Sequence, residues 1–234
     1  MNREIVVTQD GSHSIHLPDI NVTYHSKFGA MQESMHVFIS AGLQYAAARL
    51  AAPGPLCIFE LGFGTGLNAL LTAAETERAG LQVYYETVEP FPLNMAEAGQ
   101  LNYCGQLQRT DLKPLFEQLH QSDWNRETTL APHFMLRKWS SSLQDWLNSK
   151  TATAGGRPGI NIIYFDAFAP EVQPELWTSG IFGSLYPLVA PQGVLVTYCS
   201  KTEVRRALQA AGFTVEKIPG PRGKREMLRA IKSE

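Results

Sequence analysis

The stretch LCIFELGFGTGLNALLTAAETERAGLQVYYETVE, Leu56–Glu89, decides the fold. LCIFEL has the length and apolar content of a buried strand, and the turn GFGTG follows it directly. LNALLTAAETERAG then places Leu67, Leu70, Leu71 and Ala74 on one helical face, with Gly80 as the stop. LQVYYETVE reads as a second strand. Strand, crossover helix and strand make a βαβ unit, whose two strands run parallel. Downstream, HFMLRKW (His133–Trp139), NIIYFD (Asn161–Asp166) and GVLVTYC (Gly193–Cys199) continue the strand series. Helical patterns lie between them, at Leu112, Leu115, Phe116 and Leu119, then at Leu143, Trp146 and Leu147. This alternation predicts an α/β fold with a doubly wound, mostly parallel sheet of order 3-2-1-4-5. After a helix around Glu203–Ala211, FTVEKI and REMLRAI flank PGPRGK and predict an antiparallel C-terminal hairpin that closes the sheet. Upstream, EIVVT, SIHL and NVTYHS read as a small sheet or arm. Met35, Phe38, Ile39, Leu43 and Ala46 predict a helix over Met31–Leu50, ended by Pro53 and Gly54. The domain reading is an N-terminal β/helix extension over residues 1–50 and a main domain over 51–234. TATAGGRPG, Thr151–Gly159, reads as a loop.

In the turn, Gly62, Gly64 and Gly66 let the backbone approach a ligand closely at a helix N-terminus. A dinucleotide fingerprint would put its third glycine at Leu67; the spacing here is G-x-G-x-G. The plain structural alternative is a tight βα turn with no ligand. With Glu60 ahead of the glycines and Glu89 at the end of the next strand, the segment resembles the S-adenosylmethionine (SAM) site of Rossmann-like methyltransferases. That resemblance gives Glu89 the ribose hydroxyls. Glu86 competes for the role but lies inside the run, as a strand-face charge.

In FDAFAPEVQPELWT, Asp166 ends the fourth core strand. The first and fourth strands of such a sheet flank the switch point, so Asp166 faces the same crevice as the glycine turn. Asp166 can also cap the following turn, and the two roles are compatible. An Asp followed by an aromatic and a proline resembles amino methyltransferases, where a carboxylate and nearby carbonyls hold the amine. An ammonium has no lone pair, so methyl transfer needs the neutral amine in line with the methyl donor, and a carboxylate can orient it and take its proton.

GFGTGLN, VEPFPL, FDAFAPEVQPELWT and LVTYCSKTEVRRALQAAGFTVEKIPGPRGKREML together resemble the methyltransferase domain of the MnmC tRNA-modification proteins and their stand-alone MnmD relatives. The similarity runs from about Tyr24 to the C-terminus, with Tyr24, Ser26, Glu33 and Ser34 matching the N-terminal pattern in part. The resemblance implies a Rossmann-like, SAM-dependent fold. It also implies N-methylation of the aminomethyl group of wobble 5-aminomethyl-(2-thio)uridine in tRNA, giving 5-methylaminomethyl-(2-thio)uridine. It assigns Glu60, Gly62, Gly64, Gly66 and Asn68 to the SAM loop, Glu89 to ribose and Asp166 to the amine. Tyr24, Phe168, Pro170 and Trp177 would shape the pocket for the base. Where the family carries an acidic residue for the adenine amino group, RKWSSSLQDWL offers Ser141 and Ser142, with Asp145 further on. A hydroxyl such as that of Ser142, or a backbone group, would serve instead. Bifunctional relatives carry a flavin-dependent oxidase domain after this one. On this reading a chain ending at Glu234 would lack that domain, and its aminomethyl substrate would come from other enzymes.

A formal charge of −2 over 234 residues looks unlike a nucleic-acid partner. The average conceals a division: residues 1–200 hold 11 Lys+Arg against 18 Asp+Glu, and residues 201–234 hold 9 against 4. Arg205, Arg206, Arg222, Lys224 and Arg225 belong to this basic end. Such a run is commonly a solvated face; joined to the family resemblance it becomes a tRNA phosphate contact. Phe168, Trp177, Tyr198 and Phe91 are candidates for stacking on an unstacked base, or else core residues. Cys57, Cys104 and Cys199 are scattered and read as reduced thiols. No signal peptide or membrane span is apparent, which points to the cytoplasm. The histidines form no metal-ligand pattern, so no metal is expected. Two competitors stand beside the tRNA reading: a SAM enzyme or aminopropyltransferase acting on a small amine, and a non-catalytic nucleotide- or RNA-binding protein. Binding that weakens steeply with salt would favour RNA over a small amine.

Overall fold

The computed structural model describes residues 2–49, 54–152 and 159–233. Three short strands come first, β1 (Glu4–Val7), β2 (His13–Leu17) and β3 (Val22–Thr23), paired antiparallel in a small sheet. Helix α1 (Ala30–Ser34), a π-helical stretch (Met35–Gln44) and α2 (Tyr45–Arg49) follow without a break. Then come β4 (Leu56–Leu61), α3 (Leu67–Ala79) and β5 (Val83–Val88), the βαβ unit read from the sequence. The chain continues through α4 (Met95–Ala98), α5 (Tyr103–Gln106), α6 (Lys113–Gln121), β6 (Glu127–Ala131), β7 (Phe134–Trp139), α7 (Leu143–Ala152) and β8 (Ile160–Phe165). It ends with α8 (Ser179–Leu185), β9 (Val189–Thr197), α9 (Thr202–Ala210), β10 (Thr214–Pro219) and β11 (Glu226–Ile231).

The main sheet has the order β10-β11-β9-β8-β4-β5-β7-β6. Its five parallel strands, β7-β5-β4-β8-β9, are the expected 3-2-1-4-5 arrangement. The hairpin closes the sheet through its second strand, with β11 antiparallel to β9 and β10 outside it. On the far edge β6 pairs antiparallel with β7, an addition the sequence reading lacks. Its residues, ETTLA, are exposed or half-buried, so no apolar alternation marks them as a strand.

Because side chains alternate along a strand, the central strands feed two cores. Ile58, Tyr85, Ile162, Tyr164 and Val196 join α3, α6 and the π-helical stretch on one face. Phe59, Leu61, Val88, Phe165 and Leu195 join α7, α8 and α9 on the other. The π-helical stretch brings Val37, Phe38, Ile39 and Leu43 into the first core, each at 1% exposure or less. Burying each such side chain contributes roughly 1.5–3 kcal/mol, so this segment is held to the sheet rather than hanging beside it. Gly42 permits the approach: a Cβ there would lie 3.0 Å from Val196 and 3.2 Å from Tyr164. Among the described residues no helix is long and apolar enough to cross a membrane. The end of the predicted N-terminal helix, residues 50–53, and most of the loop at Thr151–Gly159 lie outside the described residues.

Candidate active site

The crevice is built at the carboxyl ends of β4, β5 and β8. Gly62, Gly64 and Gly66 have φ values of 87°, 49° and 72°, a left-handed region open to glycine at little cost. Room is short as well. A Cβ on Gly62 would lie 3.1 Å from the carbonyl oxygen of Asp166, and one on Gly64 3.3 Å from the Tyr24 ring. The turn is tied to β5: the amides of Gly62 and Phe63 donate to the Val88 carbonyl, and the Gly64 amide donates to Glu89 Oε2 at 3.0 Å.

Beneath the turn lies a cation that the sequence reading missed. Lys138 is fully buried, and its ammonium donates to the carbonyls of Leu119 and His120 at the C-terminal end of α6, 2.7 and 2.9 Å away. A cation suits that end of a helix dipole. The Lys138 ammonium also lies 5.5 Å from the Phe63 ring, and burial brings its pKa down to about 8. His120, kept neutral by burial with a pKa of about 4, donates through Nε2 to the Thr65 carbonyl. In RKW, a lysine buried in this way cannot be told from a surface charge.

Asp166 sits half-buried at the end of β8, where Asn68, in the first turn of α3, donates from Nδ2 to its Oδ2 at 2.9 Å. This bond joins the glycine turn to the opposite lip of the crevice. Burial, and then the charge of Glu33, push the Asp166 carboxyl up to about 7, against the opposing effects of Asn68 and Lys224. Glu60 lies behind them at 0% exposure. Burial and the Asp166 charge hold its pKa well above the usual carboxylate value. Both Glu60 oxygens and Asn68 Oδ1 are buried without a hydrogen-bond partner. The folded chain therefore keeps the Glu60 proton at pH values where the unfolded chain has released it, and stability falls as pH rises above the ordinary carboxylate range. Glu60→Gln should accordingly lose less melting temperature than wild type as pH rises above the ordinary carboxylate range. Equal slopes in thermal denaturation would contradict this account of Glu60.

Glu89, 8% exposed, accepts from the amides of Gly64 and Phe91. A carboxylate has about four acceptor sites, which leaves capacity for a ligand's hydroxyls. Glu86 faces the other core, where Oε1 accepts from the indoles of Trp139 and Trp146 at 2.6 and 3.1 Å, away from the crevice. Ser142 caps α7: its hydroxyl donates to Asp145 Oδ2 and accepts from the Asp145 amide. The neighbouring Ser141 Oγ is buried with no partner, and of the two hydroxyls it is the one left for a ligand.

The wall beside Asp166 is aromatic. Tyr24 meets Phe168 edge to face at 5.4 Å, bringing the N-terminal segment over the glycine turn. Pro170 is half-buried in the loop that follows Asp166. Trp177, 5% exposed, stands behind that loop and donates from Nε1 to the Phe168 carbonyl, while the Tyr198 hydroxyl donates to the Ala167 carbonyl. Phe91 is 59% exposed on the loop after β5, which Arg3 ties down through the Phe91 and Pro92 carbonyls.

The basic end proves less uniformly free than its charge count suggests. Lys217 pairs with Glu226, Arg229 with Glu216 and Lys201 with Glu171. Lys224 points inward to Glu33, its ammonium 2.5 Å from Oε1. Arg206, Arg222 and Arg225 are exposed, and Arg205 is half-buried. Among the described residues no group of three or more His, Cys, Asp and Glu could hold a metal ion.

Residues 138–233 match the model of a family described as S-adenosyl-L-methionine-dependent methyltransferase. Over 88% of its length the chain is 32% identical to the tRNA 5-methylaminomethyl-2-thiouridine biosynthesis bifunctional protein MnmC of Pseudomonas aeruginosa. It is 30% identical, over 90% of its length, to the protein of that name from Aeromonas hydrophila. The chain spans about a third of the length of these relatives, 31% and 33%. Its fold superposes on the crystal structure of MnmC2 from Aquifex aeolicus with a TM-score of 0.74, at 22% identity, covering 98% of this chain and 70% of that one. The fold is that of the Rossmann-like SAM methyltransferases, and the residues present fit the cofactor. The glycine cradle leaves little room for side chains, the Glu89 carboxylate stands at its rim with acceptor capacity to spare, and Asn68 Oδ1 is a buried acceptor without a partner.

Proposed function

We propose that this chain, a relative of the MnmC proteins, uses SAM to N-methylate the aminomethyl group of wobble 5-aminomethyl-(2-thio)uridine in tRNA, giving 5-methylaminomethyl-(2-thio)uridine. The observation that carries this reading is Asp166: a carboxylate with a pKa of about 7, fixed by Asn68 at the lip of a glycine cradle. When bound, SAM supplies an electrophilic methyl group on a positively charged sulfur. The glycine turn would hold its main body, Glu89 the ribose hydroxyls, and Ser141, beside the α7 cap Ser142, the adenine side. Asp166 in its ionised form would take one proton from the substrate ammonium, leaving the amine nitrogen a lone pair directed at the site where the glycine turn would hold the donor. Tyr24 and Phe168 would flank the uridine base, with Pro170 and Trp177 fixing the loop that carries Phe168. Residues 1–50 then serve as an extension over the site and 51–234 as the methyltransferase domain, acting in the cytoplasm.

Arg205, Arg206, Arg222 and Arg225 are the cations that would meet tRNA phosphates. Reversing both Arg222 and Arg225 to Glu should weaken tRNA binding about tenfold or more at low salt and flatten its salt dependence by roughly two phosphate contacts. SAM affinity should stay the same. Filter binding over a salt series reads both effects, and wild-type tRNA affinity in the double variant would return these cations to a solvated face. The reaction itself is tested by incubating the protein with methyl-labelled SAM and tRNA carrying 5-aminomethyluridine, followed by nucleoside analysis. Label in 5-methylaminomethyluridine supports the proposal. Transfer only to a free small amine would favour the small-amine enzyme, and no transfer would favour a binding protein.

A further inference from the structure

Glu33 and Lys224 stand 191 residues apart in the chain and meet at the crevice. The Lys224 ammonium lies 2.5 Å from Glu33 Oε1 and 3.8 Å above the Tyr198 ring. A carboxylate joined to an aromatic face is the set of groups that recognises an alkylammonium. The Tyr198 hydroxyl donates to the carbonyl of Ala167, the residue after Asp166, and the charges of Glu33 and Lys224 both act on the Asp166 carboxyl, so the seat faces the same crevice. We propose that Glu33 is a second carboxylate of the amine site, and that Lys224 fills the seat of the substrate ammonium in the free protein and is displaced from it by substrate. This inference rests on the reading of the crevice as an amine-methylating site.

The two partners differ in how firmly they are held. Glu33 lies on α1 with its side chain 9% exposed, and its Oε2 accepts from the Ser26 amide at 2.9 Å. Lys224 lies in the hairpin turn with its side chain 31% exposed, on a flexible four-carbon stem. The carboxylate is thus the fixed half of the pair and the ammonium the movable half. Charge balance favours an exchange: Glu33 and Asp166 need a compensating cation, and leaving buried carboxylates unpaired is costly. A substrate ammonium that takes the seat replaces the lysine charge for charge. It then passes one proton to ionised Asp166, its nitrogen bonds to the methyl carbon as the sulfur–carbon bond breaks, and the methylated ammonium leaves the seat to Lys224.

The test compares two synthetic anticodon stem-loops, one with 5-aminomethyluridine and one with plain uridine at the wobble position. The ratio of their dissociation constants cancels any general phosphate contact of Lys224. Lys224→Met removes the internal competitor, so preference for the aminomethyl RNA should rise about three- to tenfold over wild type. Glu33→Gln, which removes the fixed half of the seat, should lower that preference by a similar factor. An unchanged or reduced preference in Lys224→Met, with an intact melting transition, would overturn the proposal. Failure of the underlying amine reading looks different: wild type itself would neither prefer the aminomethyl RNA nor methylate it.

Discussion

Asp166→Asn should abolish methyl transfer while leaving SAM affinity close to that of wild type. Asparagine keeps the shape of the side chain, and its amide oxygen can still accept from Asn68 Nδ2, so the lip of the crevice stays where it is. The substitution removes the group that can accept a proton. A primary alkylammonium is almost wholly protonated near neutrality, and a positioned proton acceptor is worth about 10²- to 10⁴-fold. The loss should therefore fall on kcat, with isothermal titration of SAM unchanged. The pH profile gives a second readout. Because burial raises Asp166 to about 7 and the ionised form is the active one, wild-type kcat/KM should rise with pH through that value and fall below it. The acid limb should vanish from any residual activity of the asparagine variant. Activity within about tenfold of wild type, with the limb intact, would remove Asp166 from the proton transfer.

What the sequence revealed, and what it hid, follows from how local each signal is. The glycine turn, Asp166 and Glu89 were legible because each stands at a strand end that apolar runs mark on their own. Gly62, Gly64 and Gly66 also fall at φ values that side chains avoid, which is why residue type alone announced them. The π-helical stretch was hidden: apolar spacing predicts a helix over Met31–Leu50 but does not register the wider turn. The sequence likewise offered Ser141 and Ser142 together, and only the Asp145 cap separates them. The count of cations at the basic end carried no information about pairing. Lys217 and Arg229 meet acids on the neighbouring strand of their own hairpin, whereas Lys224 crosses to Glu33 near the other end of the chain. Such a long-range contact leaves no trace in spacing, although Tyr24, Ser26 and Glu33 all stood in the N-terminal pattern. The structure ties them together through the Ser26 amide bond to Glu33 and the Tyr24 ring over Gly64.

Gly64→Val should weaken SAM binding about ten- to a hundredfold, because two costs fall on one residue whose amide holds the ribose-side carboxylate. The first is conformational: at φ 49° a β-branched residue sits in a region that costs roughly 1–3 kcal/mol. The second is steric, since the new Cβ would lie 3.3 Å from Tyr24 Cδ2 before any γ-methyl is added. Relief of either strain moves the Gly64 amide, which donates to Glu89 Oε2 at 3.0 Å, and so displaces the Glu89 carboxylate from the rim of the cradle. Gly64→Ala should show a smaller loss, because it carries the conformational cost and the Cβ contact with Tyr24 but not the γ-methyl groups. The central strands do not depend on this turn for their pairing, so the valine variant should still unfold cooperatively and bind tRNA with near wild-type affinity. Titration of SAM into the two variants separates the costs. Wild-type SAM affinity in Gly64→Val would mean that the turn is a plain strand-to-helix connection and that the cofactor binds elsewhere.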